Sequence, residues 1–204
     1  MSRTKKIVPL FIFLAYCLLS AAFVTLSGVE GFSQGTWNAK SSFSTNRCLV
    51  TAFAIGNKGY IGTGSNPSGA STNIDFWEYN PVTDVWTQMA DFSGGARRGA
   101  VSFSANSKGY IGLGLGGGNY YKDLWEYNPA GNSWIQRANF PGQGRFRPSA
   151  FSIGSKGYVG TGFDQNNIYY DDFWEYDASA NVWTARADFP GGMRVGGVGF
   201  SIAG

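Results

Sequence analysis

A block of about forty-nine residues is written three times along this chain, and a period of that length is the size of one four-stranded propeller blade. Lys58-Gly59-Tyr60-Ile61-Gly62-Thr63-Gly64 returns as Lys108-Gly109-Tyr110-Ile111-Gly112-Leu113-Gly114 and again as Lys156-Gly157-Tyr158-Val159-Gly160-Thr161-Gly162. A second landmark keeps step. Asp75-Phe76-Trp77-Glu78-Tyr79 recurs as Asp123-Leu124-Trp125-Glu126-Tyr127 and as Asp172-Phe173-Trp174-Glu175-Tyr176, each followed by a polar turn and then Trp86, Trp134 or Trp183. This repetition predicts an all-β fold of similar sheets before any single residue is interpreted.

Each unit reads as four strands. In the middle copy, Gly99-Ala100-Val101-Ser102-Phe103-Ser104 alternates with a period of two, as a strand does, and its small residues suit an innermost strand where neighbouring units crowd together. A polar Asn106-Ser107 turn leads into the glycine-rich second strand, where backbones approach closely. The third strand is Leu124-Trp125-Glu126-Tyr127; Asn128-Pro129-Ala130-Gly131-Asn132 supplies turn chemistry, and residues 133–139 form the outer strand. Large rings on both sides of the third strand imply a sheet covered on both faces. A buried Trp or Tyr removes roughly 150–250 Å² from water, at about 25 cal/mol per Å², so the aromatic ladder is expected to cement unit to unit.

On these motifs the chain resembles the kelch-repeat β-propellers. The family's tyrosine and tryptophan about seven apart are matched by Tyr79/Trp86, Tyr127/Trp134 and Tyr176/Trp183; its glycine doublet is altered to Gly62/Gly64, Gly112/Gly114 and Gly160/Gly162. The resemblance covers about residues 37–204. It implies three complete four-stranded blades, at residues 47–92, 97–140 and 145–189. Trp37 and Phe43, spaced like Trp86 and Phe92, make residues 36–44 the outer strand of a split blade. Phe200 aligns with Phe53, Phe103 and Phe151, so residues 194–204 read as the first strand of a next blade. Such a ring is incomplete. The chain is therefore expected to be a truncated product or a fragment of a longer propeller, needing further blades or self-association to cover its open faces.

Arg3, Lys5 and Lys6 precede an apolar run over residues 7–24, the layout of a secretory signal over residues 1–33, cut between Ser33 and Gln34 or retained as a membrane anchor. The expected location is secreted, periplasmic or extracellular. Cleavage removes three cations and Glu30, taking Lys+Arg from 16 to 13, Asp+Glu from 13 to 12 and the net charge from +3 to +1. A nearly neutral chain argues against a nucleic-acid partner. Cys48 is then the single cysteine, so no internal disulfide can form. The chain has 0 histidines, which excludes histidine triads and imidazole-ligated zinc or copper within it. No cofactor is expected.

Arg47, Arg97, Arg145 and Arg194 occupy the same place in successive units, in the loop entering each inner strand. The loops between second and third strands, residues 64–73, 114–122 and 162–171, reach the same face and carry Asn119, Tyr120, Tyr121, Tyr169 and Tyr170. Guanidinium forks beside tyrosines in variable loops suit a carboxylate, an acidic peptide or an acidic sugar. The kelch resemblance supports this reading, because family members that hold acidic peptides use similarly placed arginines. The same arginines also suit ion pairs with Asp75, Asp123 and Asp172, or with Glu78, Glu126 and Glu175, that lock each unit. The favoured function is a binding or scaffold module for a protein or glycan. The alternatives are a fragment of a carbohydrate-active kelch enzyme resembling a sialic-acid epimerase, less closely galactose oxidase, or a non-functional remnant.

Overall fold

The structure, a computed structural model, describes residues 36–43 and 45–201, so the expected leader at 1–33 and the last three residues lie outside it. The chain forms β1 (Thr51–Ile55), β2 (Lys58–Gly62), β3 (Phe76–Asn80), β4 (Val85–Gln88), β5 (Val101–Ala105), β6 (Lys108–Gly112), β7 (Leu115–Gly116), β8 (Asn119–Tyr120), β9 (Leu124–Asn128), β10 (Ser133–Arg137), β11 (Ser149–Ile153), β12 (Lys156–Gly160), β13 (Phe173–Asp177) and β14 (Val182–Arg186). Three antiparallel four-stranded sheets result: β1-β2-β3-β4, β5-β6-β9-β10 and β11-β12-β13-β14, called sheets 1, 2 and 3, with β7-β8 as a separate two-stranded hairpin. Among the described residues the fold is all-β, with no helix.

The three sheets share one register. Phe53 faces Tyr60, Phe103 faces Tyr110 and Phe151 faces Tyr158 across their first two strands. In sheet 2 the connecting turn places Asn106 and Ser107 at φ of 51° and 58°, the two left-handed residues that a tight hairpin matching the strand twist requires. The first strands β1, β5 and β11 lie side by side, and Ser102 ties the first two together by donating to the Ala52 carbonyl at 2.8 Å. Among the described residues the outer strands β4, β10 and β14 do not touch one another, so the sheets splay apart from a common inner edge.

Two interfaces fill the space between the sheets. Between sheets 1 and 2, fully buried Phe76 meets Tyr127 at 4.8 Å and Trp134 at 4.9 Å between ring centroids, with Phe92 and Ile111 completing the cluster. Between sheets 2 and 3, Tyr110, Leu124 and Phe140 pack with Val159 and Tyr176. The glycine of each Lys-Gly-Tyr has a specific cause. A Cβ on Gly109 would lie 2.1 Å from the Phe53 ring, and one on Gly157 would lie 2.2 Å from Phe103. The phenylalanine of one sheet occupies the space where the next sheet's second strand carries no side chain.

Residues 36–43 and 194–201 were expected to be strands, and neither stretch forms one. A strand exists only through ladder hydrogen bonds to a neighbour. Ser41 instead donates its backbone N–H to Asp84 Oδ1 at 3.0 Å and accepts from Trp86 Nε1 at 2.9 Å, both side-chain bonds. Phe43 nonetheless packs on Trp77 and Trp86 at 6.0 and 5.2 Å, which is the place its spacing predicts.

A candidate ligand-binding loop face

The loops between second and third strands and those entering β1, β5 and β11 gather on one face, where every predicted site residue is found. Arg97 is fully buried and spends all five N–H groups. Nη1 donates to Asp123 Oδ1 at 2.5 Å and to the Leu113 carbonyl at 3.0 Å, Nη2 to Asp123 Oδ2 at 2.8 Å and to the Gly94 carbonyl, and Nε to the Gly95 carbonyl at 3.2 Å. Its guanidinium lies between Phe92 and Tyr121, 4.9 and 3.8 Å from their ring centres. Arg145 repeats this arrangement with Asp172 at 2.5 and 3.1 Å, between Phe140 and Tyr170. Arg47 forks onto Asp75 at 2.7 and 2.8 Å. The Arg47 hydrogen bonds hold the Asp75 carboxyl below its usual range.

Three of the four predicted arginines are therefore occupied inside their own units, with Tyr121 and Tyr170 as lids. Arg194 differs. It is exposed, donating only to the Gly191 and Gly192 carbonyls and lying 4.3 Å over Phe189. Asn119, Tyr120 and Tyr169 sit at the loop surface, free of these locks. Tyr120 and Tyr169 flank Phe163 at 6.2 and 5.4 Å, and Phe163 meets Phe146 edge-on at 5.6 Å.

Two arginines that sequence reasoning passed over complete this surface. Arg98 and Arg147 approach Phe146 at 5.9 and 5.8 Å, and among the described residues neither has a carboxylate partner. Arg98 donates to the Gly69 carbonyl at 3.1 Å and lines a cavity of 290 Å³ with Thr72, Leu115 and the glycines at 116–118. Arg147 belongs to a main-chain ladder with one member per unit. Gly99 N–H donates to Leu49 O, Arg147 N–H to Gly99 O and Gly196 N–H to Arg147 O, at 3.0, 2.9 and 3.0 Å. All four residues have left-handed φ, at 55°, 57°, 54° and 69° for Leu49, Gly99, Arg147 and Gly196. Glycine takes that conformation without cost, whereas an arginine there carries roughly 1–2 kcal/mol of strain. Aligning the repeats exposes the signal: two residues after Arg47, Arg97, Arg145 and Arg194 stand Leu49, Gly99, Arg147 and Gly196.

The carboxylates inside the sheets are committed elsewhere. Burial pushes Glu78 and Glu126 up, but donors outweigh it and leave both lowered: Lys58 and Tyr60 for Glu78, Arg137 and Tyr110 for Glu126. Glu175 is lowered to about 2, chiefly by Arg186 and Lys156. Burial pushes Tyr127 and Tyr176 up to about 12. Ionised carboxylates and protonated phenols at neutral pH hold the sheets together and offer no group poised near neutrality for proton transfer. Among the described residues no group of histidine, cysteine or carboxylate side chains gathers as a metal site.

No family model matches this chain, and no curated protein does. Among solved structures, one titled "Structure of YjhT" is similar, with a TM-score of 0.66 and 19% sequence identity over 78% of this chain and 57% of that one. The chain spans 57% of that protein's length. At this identity the likeness is one of fold.

Proposed function

We propose that the chain is part of a kelch-type β-propeller that works outside the cytoplasm as a binding or scaffold module. Its loop face captures a carboxylate-bearing segment of a protein or glycan. The observation that carries this reading is the pair Arg98 and Arg147, two guanidiniums with no carboxylate partner among the described residues, 5.9 and 5.8 Å from the Phe146 ring centre, with Phe163 against Phe146 and flanked by Tyr120 and Tyr169. Guanidinium forks supply directional, charge-assisted donors for a carboxylate, while aromatic faces take sugar rings or apolar side chains. The three sheets with a common inner edge, the shared register and the fold likeness favour the propeller. The commitment of the interior carboxylates favours capture over turnover.

The test is calorimetric titration of the secreted chain with an oligogalacturonate and with a poly-glutamate peptide, alongside Arg98→Ala/Arg147→Ala. Saturable binding of either that the double variant abolishes supports the proposal, and the probe that binds names the ligand class. Equal binding by both proteins, or none by the wild type, contradicts it.

A further inference from the structure

The same clamp joins three pairs of neighbouring segments, and in one of them its acceptor is a carboxylate. Asn132 Oδ1 accepts from the Ala90 N–H at 2.8 Å and from the Tyr127 hydroxyl at 3.0 Å, while Trp134 Nε1 donates to the Ala90 carbonyl at 3.1 Å. Asn181 Oδ1 takes the Ala138 N–H and the Tyr176 hydroxyl, both at 2.8 Å, and Trp183 Nε1 donates to the Ala138 carbonyl at 2.9 Å. On sheet 1 the pattern recurs with Asp84 in the place of the asparagine. Asp84 Oδ1 accepts from the Ser41 N–H at 3.0 Å and from the Tyr79 hydroxyl at 2.6 Å, and Trp86 Nε1 donates to the Ser41 carbonyl at 2.9 Å. Backbone conformation does not call for the acid. Asp84, Asn132 and Asn181 all have left-handed φ, at 56°, 43° and 56°, which asparagine adopts readily.

The difference lies in what the clamp holds. Two residues beyond Ala90 and Ala138 stand Phe92 and Phe140, only 2% and 1% exposed, so packed rings share the load at both inner interfaces. Ser41 belongs to a short strap, residues 40–43, that pairs in no ladder among the described residues. Its ring in the same position, Phe43, is only half-buried against Trp77 and Trp86. With less packing, more of the hold falls on the clamp. A hydrogen bond onto an ionised acceptor is roughly twice as strong as one between neutral groups. The Tyr79–Asp84 bond is also the shortest of the three hydroxyl bonds. Two titratable groups face Asp84, Tyr79 from β3 and Lys40 from the strap, and neither is an acid.

We propose that Asp84 is an acid-sensitive latch, whose ionised carboxylate holds residues 40–43 on sheet 1 and whose protonation loosens them from Trp77 and Trp86. The Tyr79 hydroxyl, and after it the Ser41 N–H, hold the Asp84 carboxyl below its usual value of 3.8. A group depressed in this way gives its full hold above the usual value and loses it as the pH falls through the lowered one. Asn132 and Asn181 do not titrate, so the inner interfaces keep their clamps where the strap slackens.

The test follows the amide protons of Ser41, Ala90 and Ala138 by NMR in the full chain, between about pH 6 and 2.5, a range that spans the titration of a carboxyl. In the wild type the Ser41 shift should titrate with a midpoint below 3.8, while Ala90 and Ala138 stay flat. Protection of Ser41 against exchange, corrected for the intrinsic rate, should fall by roughly threefold or more. It should fall to the level that Asp84→Asn, the acceptor of the two inner clamps, shows at every pH. A Ser41 amide that does not titrate, or a loss at all three amides together, overturns the proposal. So does an Asp84→Asn variant that loses Ser41 protection over the same range as wild type. That result would move the acid response to Asp75, which reaches Phe43 through Arg47.

Discussion

Arg97 and Asp123 are joined by two parallel hydrogen bonds of 2.5 and 2.8 Å, with the guanidinium wholly withdrawn from solvent. They lie 26 residues apart and fasten the entry of β5 to the start of β9. Removing one member leaves a buried charge unpaired, which costs about 3–5 kcal/mol, more than removing both together. Arg97→Ala is thus expected to lose more stability in urea titration than Arg97→Met/Asp123→Leu. The reverse order would show the pair to be dispensable.

Asn132 and Trp134 grip one residue, Ala90, from two sides, and Asn132 also accepts from the Tyr127 hydroxyl at 3.0 Å. Asn132→Gly preserves the left-handed turn at φ 43° while removing the acceptor, leaving the part-buried Tyr127 hydroxyl unsatisfied at about 1–3 kcal/mol, while the exposed Ala90 N–H turns to water at smaller cost. Trp134→Phe removes one donor. Because both act on Ala90, the double variant should cost less than the sum in a denaturation cycle.

The repeat made the strands legible because apolar alternation, glycine spacing and turn residues are local signals. The locks were half legible. The recurrence of Arg97 and Arg145 gave their importance, but the choice of Asp123 and Asp172 over Glu126 and Glu175 depends on which loop ends meet in space. The clamp was not legible at all, since Asp84, Asn132 and Asn181 look like ordinary turn residues and their partners lie 43, 42 and 43 positions away. Arg147 was hidden by its neighbour Arg145, whose charge drew the functional reading. Residues 36–43 carry the right side chains for a strand but pair with no neighbour among the described residues.

Glu175 has its carboxyl lowered to about 2 by Arg186 and Lys156 from a usual value of 4.5. A group depressed on folding stabilises the native state fully above its unfolded value and loses that contribution as pH falls toward the folded one. Stability is therefore expected to decline between about pH 4.5 and 2, with Glu78 and Glu126, also lowered, adding to the slope. Thermal melts of Glu175→Gln across that range should show a shallower decline than wild type. Parallel curves would place the acid sensitivity elsewhere.

Gly109→Ala drives a methyl group into the Phe53 ring, 2.1 Å away, and overpacking of this kind costs typically about 1–3 kcal/mol. Adding Phe53→Leu should recover part of the loss. A neutral single variant, judged by its urea midpoint, would mean that sheets 1 and 2 are not packed as described.

Arg47, Arg97 and Arg145 on the loop face are paired with aspartates, whereas Arg98 and Arg147 have no carboxylate partner among the described residues and are proposed to bind the ligand. The most direct test measures melting temperature and capture of an acidic probe side by side for Arg97→Ala and for Arg98→Ala/Arg147→Ala. The first is predicted to melt far lower, and the second to melt as wild type while capturing nothing. Capture lost with unchanged melting in Arg97→Ala, or a lowered melting temperature with capture retained in Arg98→Ala/Arg147→Ala, would contradict the division.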